Sequence, residues 1–443
     1  MTSKSLILAI FLAGALWKIF LFVGLRGYDD FAYTNIALDM LDGRFHFLTA
    51  DNRYAWRFLL TAPTAVAFWL CGVREWSAVF LPFLCSLGNI IVVWMIGREL
   101  FNENVGLLAA ALVAIFPNSV VYGTMLYPEE ILSFFAGMAF LFFLWAESER
   151  IKPAQGYLLA GVFIAFAFAA RETGAFLMPL FFLMSKRKMS LPILLLFLPM
   201  MVYLSAEMIV SLWATGDPLH HYSRMQQSFQ IQFAEHQQTY AADTYIVSLF
   251  GGNFYGLAHF GLYYPFFVLS VLYLTVKKKI APVAPLLIWM AVYFLYYQFG
   301  SASLTHYVPL PKVLRYISIL TIPLLLILSY SLLEIYADGP WRKRVVVLIL
   351  AVIMATSLIG AAKASAKHRQ YFQEEGGVEK YYRIVDDIGT KQPRRVVTDT
   401  VREKNRLSYF WAAFRGRETR PEIYYVGERP AAAKEDVMLY DDR

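Results

Sequence analysis

Long apolar runs constrain this chain more than any other feature. Leu6 to Val23, Ser77 to Ile96 and Ile317 to Leu333 each hold enough consecutive, mostly apolar residues to cross a bilayer as a helix, for which roughly 17 to 25 are needed. Similar runs recur along the 443 residues, so lipid is the solvent the fold must satisfy. In hydrocarbon every backbone amide has to be paired internally, which makes a bundle of spanning helices the expected architecture. Composition agrees: 58% of residues are hydrophobic and only 16% charged, and the mean hydropathy of +0.49 is that of a membrane protein.

The net charge of +7 does not point to nucleic acid, because the basic residues fall in short clusters between apolar runs and not along one soluble face. They read as topology signals. With Lys4, Arg98, Arg150 with Lys152, Ser185 to Lys188, Lys277 to Lys279 and Arg342 to Arg344 on the cytoplasmic side, the crossings fall near 5–24, 77–97, 106–126, 130–146, 157–171, 174–184, 191–212, 254–275, 281–298, 315–335 and 345–362, about eleven in all. The first run lacks a small-residue cleavage pattern and is read as a retained helix. Arg57 to Gly72 is apolar but short, and counting it as a crossing would invert every later loop, so it is expected as an interfacial or re-entrant helix. Cys71 and Cys85 are the only cysteines; both are expected to act as small buried hydrophobes, with no disulfide and no thiolate metal site.

This layout divides the chain into a membrane part, 1–362, with long outer loops at 25–76 and 213–253, and a tail, 363–443, outside the cytoplasm. The tail alternates a helix pattern at Val378 to Ile388 with β-branched runs at Arg395 to Thr398, Glu422 to Val426 and Asp436 to Tyr440, the pattern of a small α/β domain.

Chemistry-bearing residues gather on the expected outer face. Asp29 and Asp30 follow the first helix. One plain reading has one of them capping the next helix while the other faces water; the sharper reading makes one a general base for an attacking hydroxyl. Glu129 and Glu130, after Tyr127-Pro128, start another helix, where the macrodipole favours acid in any case. Arg53, Arg57, Arg171, Lys312 and Arg315 recur at the same level, and the positive-inside rule does not account for them. Singly each could contact lipid headgroups; together they are what a lipid-linked phosphate or pyrophosphate requires. The segment with His220, His221, Arg224 and His236 has no metal-ligand spacing, so ordinary surface or interface histidines are expected there, on a loop that could cover a site.

In their order these residues resemble the GT-C superfamily of polytopic glycosyltransferases, in the branch of protein O-mannosyltransferases and lipid A aminoarabinose transferases. The resemblance rests on Asp29-Asp30 and on Trp56-Arg57-Phe58-Leu59-Leu60 running to Leu70-Cys71-Gly72. It continues through Tyr127-Pro128-Glu129-Glu130, Ala169-Ala170-Arg171-Glu172-Thr173-Gly174 and Leu314-Arg315-Tyr316-Ile317. There are two departures: Arg57 stands where the aminoarabinose transferases have Lys-Pro, and Arg171-Glu172 replaces the frequent Arg-Pro.

The resemblance implies a mainly α, GT-C-type bundle and an inverting enzyme that takes its sugar from a polyprenyl-phosphate carrier. Asp29 or Asp30 would activate a hydroxyl of a glycan, lipid or protein acceptor, with the lean to Asp29; Arg57, Arg171 and Arg315, with Lys312 and Arg53 nearby, would hold the donor phosphate; and Glu129 and Glu130 form an additional acidic site. The expected setting is an integral protein of a bacterial inner membrane, N-terminus cytoplasmic and tail periplasmic or extracellular, in contact with membrane lipids and not nucleic acid. No cofactor is implied with certainty, and a divalent metal at Asp29, Asp30 and Glu129 stays open, since hard cations favour oxygen ligands. The rivals are a transporter or lipid flippase, for which paired repeats and broken midplane helices would be expected, and a non-catalytic scaffold or sensor.

Overall fold

The computed structural model describes residues 2–45, 53–187, 190–234, 244–303, 307–391, 395–416, 419–425 and 437–440. Among them, eight helices are long and apolar enough to cross a membrane: Ser3–Phe20, Phe80–Leu100, Glu129–Glu147, Pro153–Ala170, Leu191–Thr215, Ala281–Phe299, Leu314–Ala337 and the helix that begins at Pro340. Shorter apolar helices at Glu103–Ile115, Glu172–Met184 and Tyr263–Val276 fall where the charge pattern predicts further crossings. The chain is an integral membrane protein by this criterion, and its described residues are mainly helix.

The helix Thr321–Ala337 runs through the middle of the bundle, with Leu324 to Leu328 fully buried. Ser3–Phe20 and Leu198–Thr215 sit at the periphery and expose most of their apolar side chains, as helices facing lipid must. Packing is closest where side chains are smallest. A Cβ added at Gly97 would lie 2.6 Å from the Cα of Gly106, so the helices Phe80–Leu100 and Glu103–Ile115 meet backbone to backbone there; small residues permit this close approach when the surrounding medium is as apolar as the side chains. Pro117 follows the end of the second of these helices, and a short helix, Pro117–Tyr122, leads to the Glu129 helix.

The predicted outer loop 25–76 is built from the helix Tyr28–Leu41, a turn at Arg53–Trp56 and the helix Phe58–Cys71. Phe58–Cys71 has 14 residues, about 21 Å at 1.5 Å per residue, short of the roughly 30 Å hydrocarbon layer. Phe58, Val66, Trp69 and Leu70 project outward, which suits a helix lying at an interface. Cys71 is exposed at its end, contrary to the sequence expectation, because this helix buries only one face; Cys85 is buried as expected.

Pro340–Glu374, at 35 residues, continues from the bundle into the tail. There follow a helix, Gly377–Lys391; β1, Arg395–Thr398; a helix, Val401–Phe414; β2, Glu422–Tyr425; and β3, Val437–Tyr440. The sheet is parallel in the order β2-β1-β3, with Arg395 opposite both Glu422 and Val437. The helix Val401–Phe414, which the sequence pattern did not single out, makes the β1-to-β2 crossover that a parallel pair needs. It packs on Tyr28–Leu41 through Phe31, which touches Tyr409, Phe410 and Phe372 with ring centroids 5.6, 5.7 and 6.0 Å away. Arg420 adds hydrogen bonds to Asp39 (2.6 Å) and Asp42 (2.7 Å) of the same segment. The tail thus clasps the helix that carries Asp29.

Candidate active site

The acidic pair divides its work. Asp30 is fully buried, and its Oδ2 accepts the backbone N–H of Arg26 (2.8 Å) and of Gly27 (2.9 Å), closing the first turn of the helix Tyr28–Leu41. Burial raises its carboxyl to about 6 against the opposing pull of these two amides. Asp29, one residue earlier, lines a cavity to which Asp30 does not contribute. Asp29 accepts a 2.6 Å hydrogen bond from the Tyr54 hydroxyl at one oxygen and pairs with Arg315 at the other. Asp30 therefore has the capping role of the plain reading, while the neighbouring carboxylate looks into open space.

That space is a cavity of about 580 Å³. Asp29, Tyr54 and Arg57 enter it from the first long loop, Arg171 to Thr173 from the turn after Pro153–Ala170, and Arg315 and Tyr316 from the start of the central helix. Glu207, His221, Tyr222 and Gln226 add further polar wall, and Phe168, Phe176, Leu204, Met208, Leu219 and Met225 form an apolar side. Segments far apart in sequence meet here because each turn that carries a charged residue lies at the same end of the bundle.

The guanidiniums are held in a carboxylate lattice. Arg171 donates to Glu129 Oε1 at 2.6 Å, and Arg315 Nε approaches the same oxygen at 3.2 Å. Arg57 bonds the Tyr33 hydroxyl and lies 3.8 Å from Glu172. Aromatic rings support them from behind: Arg171 sits 3.8 Å from the Tyr316 centroid and Arg315 4.1 Å from that of Tyr127. Guanidinium tolerates this partly dry, stacked setting better than ammonium would.

Glu130 and Lys312, also singled out from the sequence, lie outside the cavity lining. Glu130 points away from the cavity into the bundle, where it accepts from Ser119 (2.9 Å) and Asn89 (3.1 Å), and the Lys18 ammonium donates to the Ser119 carbonyl at 2.7 Å. Lys312 donates to the Leu310 carbonyl at 2.8 Å and is not among the cavity-lining residues. The Arg53 side chain and His236 are outside the described residues. His221, expected as an ordinary surface or interface histidine, lines the cavity. Its Nδ1 meets Glu207, and its ring stacks on Trp56 with centroids 4.1 Å apart and planes 8° from parallel.

Sequence reasoning missed Tyr54, Tyr33 and Glu207. The two tyrosines carry no pattern that could have marked them in so aromatic a chain. Glu207 did leave a signal, being the only ionisable carboxylate in the apolar helix Leu198–Thr215, where such a group is costly to hold.

A divalent cation does not suit Asp29, Asp30 and Glu129 as they stand. Arg315 occupies the ground between Asp29 and Glu129, with a different nitrogen toward each, and Asp30 is committed to backbone amides. No group of three His, Cys, Asp or Glu among the described residues is disposed to hold a metal ion.

Residues 59–213 match the family model described as dolichyl-phosphate-mannose-protein mannosyltransferase. No curated protein sequence matches the chain. Among solved structures it resembles an oligosaccharyltransferase of Archaeoglobus fulgidus, crystallised with Zn and sulfate, at 14% identity and a TM-score of 0.62, over 94% of this chain and 62% of that one. The chain thus spans a little under two thirds of that enzyme. It also resembles ArnT of Cupriavidus metallidurans, in the apo state at 13% identity and a TM-score of 0.63, over 96% of this chain and 86% of that one. The ArnT structure bound to undecaprenyl phosphate matches at 14% identity and a TM-score of 0.63, over 94% and 85%. The fold is of the GT-C type, and the resemblance read from the sequence is borne out.

Proposed function

We propose that this GT-C-fold chain is an inverting glycosyltransferase that moves a sugar from a polyprenyl-phosphate carrier to an acceptor hydroxyl, at the outer face of a membrane that we take to be a bacterial inner membrane. The observation that carries the reading is the single cavity in which Asp29 and three arginines face an apolar side formed by Phe168, Phe176, Leu204, Met208, Leu219 and Met225. A carrier lipid needs both halves: cations for its phosphate and hydrocarbon contact for its tail. The ArnT neighbour bound to undecaprenyl phosphate and an archaeal oligosaccharyltransferase neighbour in complex with an inhibitory peptide and a dolichol-phosphate support the same class of donor.

In this reading Arg57, Arg171 and Arg315 bind the phosphate oxygens, exchanging part of their pairing with Glu172, Glu129 and Asp29 for the ligand. The acceptor oxygen attacks the anomeric carbon from the side opposite the phosphate. Its proton passes to Asp29, the anomeric C–O bond breaks, and the electron pair leaves on the carrier phosphate, whose growing charge the guanidiniums stabilise. One displacement inverts the anomeric centre. Phosphate leaves without protonation, so no general acid is required, and no step is routed through a metal. The tail, read as a small α/β domain of residues 363–443 outside the cytoplasm, positions the acceptor.

The test is binding of undecaprenyl phosphate to the purified protein in detergent, by native mass spectrometry, for wild type, Arg57→Ala and Arg315→Ala. Each arginine should contribute about 1.5–3 kcal/mol, the range of hydrogen bonds to charged groups, so each variant should bind at least roughly tenfold more weakly. Binding by wild type that both substitutions leave unchanged would overturn the assignment.

A further inference from the structure

We infer that Lys18, Ser119 and Glu130 form a buried relay that positions the donor site, setting the rotation of the helix Glu129–Glu147 so that Glu129 faces Arg171 and Arg315. This role rests on the carrier-lipid reading above and extends it to three side chains that are not among the cavity-lining residues.

Lys18 lies in the last turn of Ser3–Phe20, a helix that exposes most of its apolar side chains to lipid. Its buried residues are Ile7, Gly14 and Lys18, seven and four apart on one face. The Lys18 side chain, fully buried, donates from its ammonium to the Ser119 carbonyl at 2.7 Å and to the Ser119 hydroxyl at 3.1 Å. That hydroxyl donates in turn to Glu130 Oε2 at 2.9 Å, and Asn89 donates to the same oxygen at 3.1 Å. One hydroxyl thus joins an ammonium on the first helix to a carboxylate at the start of another.

For stability alone this is a poor arrangement. Ionisable groups inside a membrane bundle are costly to keep, and a buried ion pair replaced by apolar side chains of similar volume is often as stable or more so. What the relay supplies, and an apolar contact does not, is direction. Successive residues of an α-helix diverge by about 100°. With Glu130 drawn to Ser119, Glu129 is turned to the donor side, where its Oε1 meets Arg171 at 2.6 Å and Arg315 at 3.2 Å. The short helix Pro117–Tyr122 also fixes Arg315 through its backbone: Asn118 donates to the Ser318 hydroxyl at 2.7 Å, and that hydroxyl donates to the Arg315 carbonyl at 2.7 Å. Two of the three guanidiniums at the cavity therefore take their places from a segment that Lys18 anchors.

Two variants separate orientation from stability. Lys18→Met combined with Glu130→Leu replaces the relay by apolar side chains of similar size, whereas Glu130→Gln keeps each of its hydrogen bonds and removes only the carboxylate charge. Undecaprenyl phosphate binding is followed by native mass spectrometry in detergent, well below the melting temperature, alongside thermal melts. The double variant should melt no lower than wild type yet bind about tenfold more weakly, as when the correct arrangement is populated about a tenth of the time. Glu130→Gln should bind within about twofold of wild type even where it melts lower. Equal binding by the double variant and wild type, an equal loss in Glu130→Gln, or a loss of binding that only follows the melting temperature would overturn the role and leave the donor assignment standing. Failure of wild type to bind undecaprenyl phosphate would overturn the carrier-lipid reading, and this role with it.

Discussion

Replacing Asp29 with asparagine should separate binding from chemistry, with opposite signs. The substitution preserves size and leaves the Tyr54 hydroxyl an oxygen to donate to, but removes the carboxylate that pairs with Arg315. A phosphate bonded to Arg315 would lie roughly 5 Å from the Asp29 carboxylate, where two unit charges repel by about 3 kcal/mol at an effective dielectric constant of 20. Water in a cavity of about 580 Å³ screens part of that, so a gain of about 1–3 kcal/mol remains, a carrier-lipid affinity about 5- to 150-fold tighter. Transfer should fall by about 10²–10⁴, the contribution of a general base. The fold should tolerate the change, because Arg315 keeps Glu129 at 3.2 Å. The assay is native mass spectrometry of undecaprenyl phosphate binding, with a thermal shift as folding control and sugar transfer followed in membranes. Affinity unchanged or weaker would refute the electrostatic argument; transfer unchanged would remove Asp29 as the base.

Other substitutions test the framework around the site. Arg171→Met strips the buried Glu129 carboxylate of its 2.6 Å partner, at a cost of about 3–5 kcal/mol, and adding Glu129→Gln should restore much of the lost melting temperature; a double mutant no more stable than the single would refute the pairing. For Asp30, burial holds the folded carboxyl near 6 against an ordinary value of 3.8, a shift of about 2 units or roughly 3 kcal/mol. The folded state therefore binds more protons between about pH 4 and 6, and stability is greatest below that window and falls as pH rises through it. Asp30→Asn should flatten this decline in pH-dependent thermal melts. Gly97→Leu forces side chain into the backbone contact with Gly106 and should cost about 1–3 kcal/mol, read as a lower melting temperature in detergent. Arg420→Met, which leaves Asp39 and Asp42 without the guanidinium they share, should loosen the tail and raise hydrogen exchange in the helix Val401–Phe414; unchanged exchange would mean that the aromatic contacts of Phe31 hold the tail unaided.

Much of this protein was legible in the sequence because hydrocarbon imposes a simple rule. A helix crossing a bilayer must be apolar for a fixed length, so run lengths and basic clusters located the long spans, and the short run Arg57 to Gly72 was separated from them by its length together with the charge rule. Three β-branched segments located the strands of the tail nearly to the residue, since their alternation needs no distant partner to be recognised. The charged residues on the loops, Asp29, Arg57, Arg171 and Arg315, stood out because apolar surroundings make such groups expensive to keep. Tertiary structure alone decided which of these meet. The division of Asp29 from Asp30 depends on where two backbone amides point, the turning of Glu130 toward Ser119 and Asn89 on which face of its helix packs inward, and the joining of His221, Glu207 and Trp56 on how two helices and a turn from distant parts of the chain meet. A sequence records the cost of a buried charge, but its partner is chosen by the way the bundle folds around it.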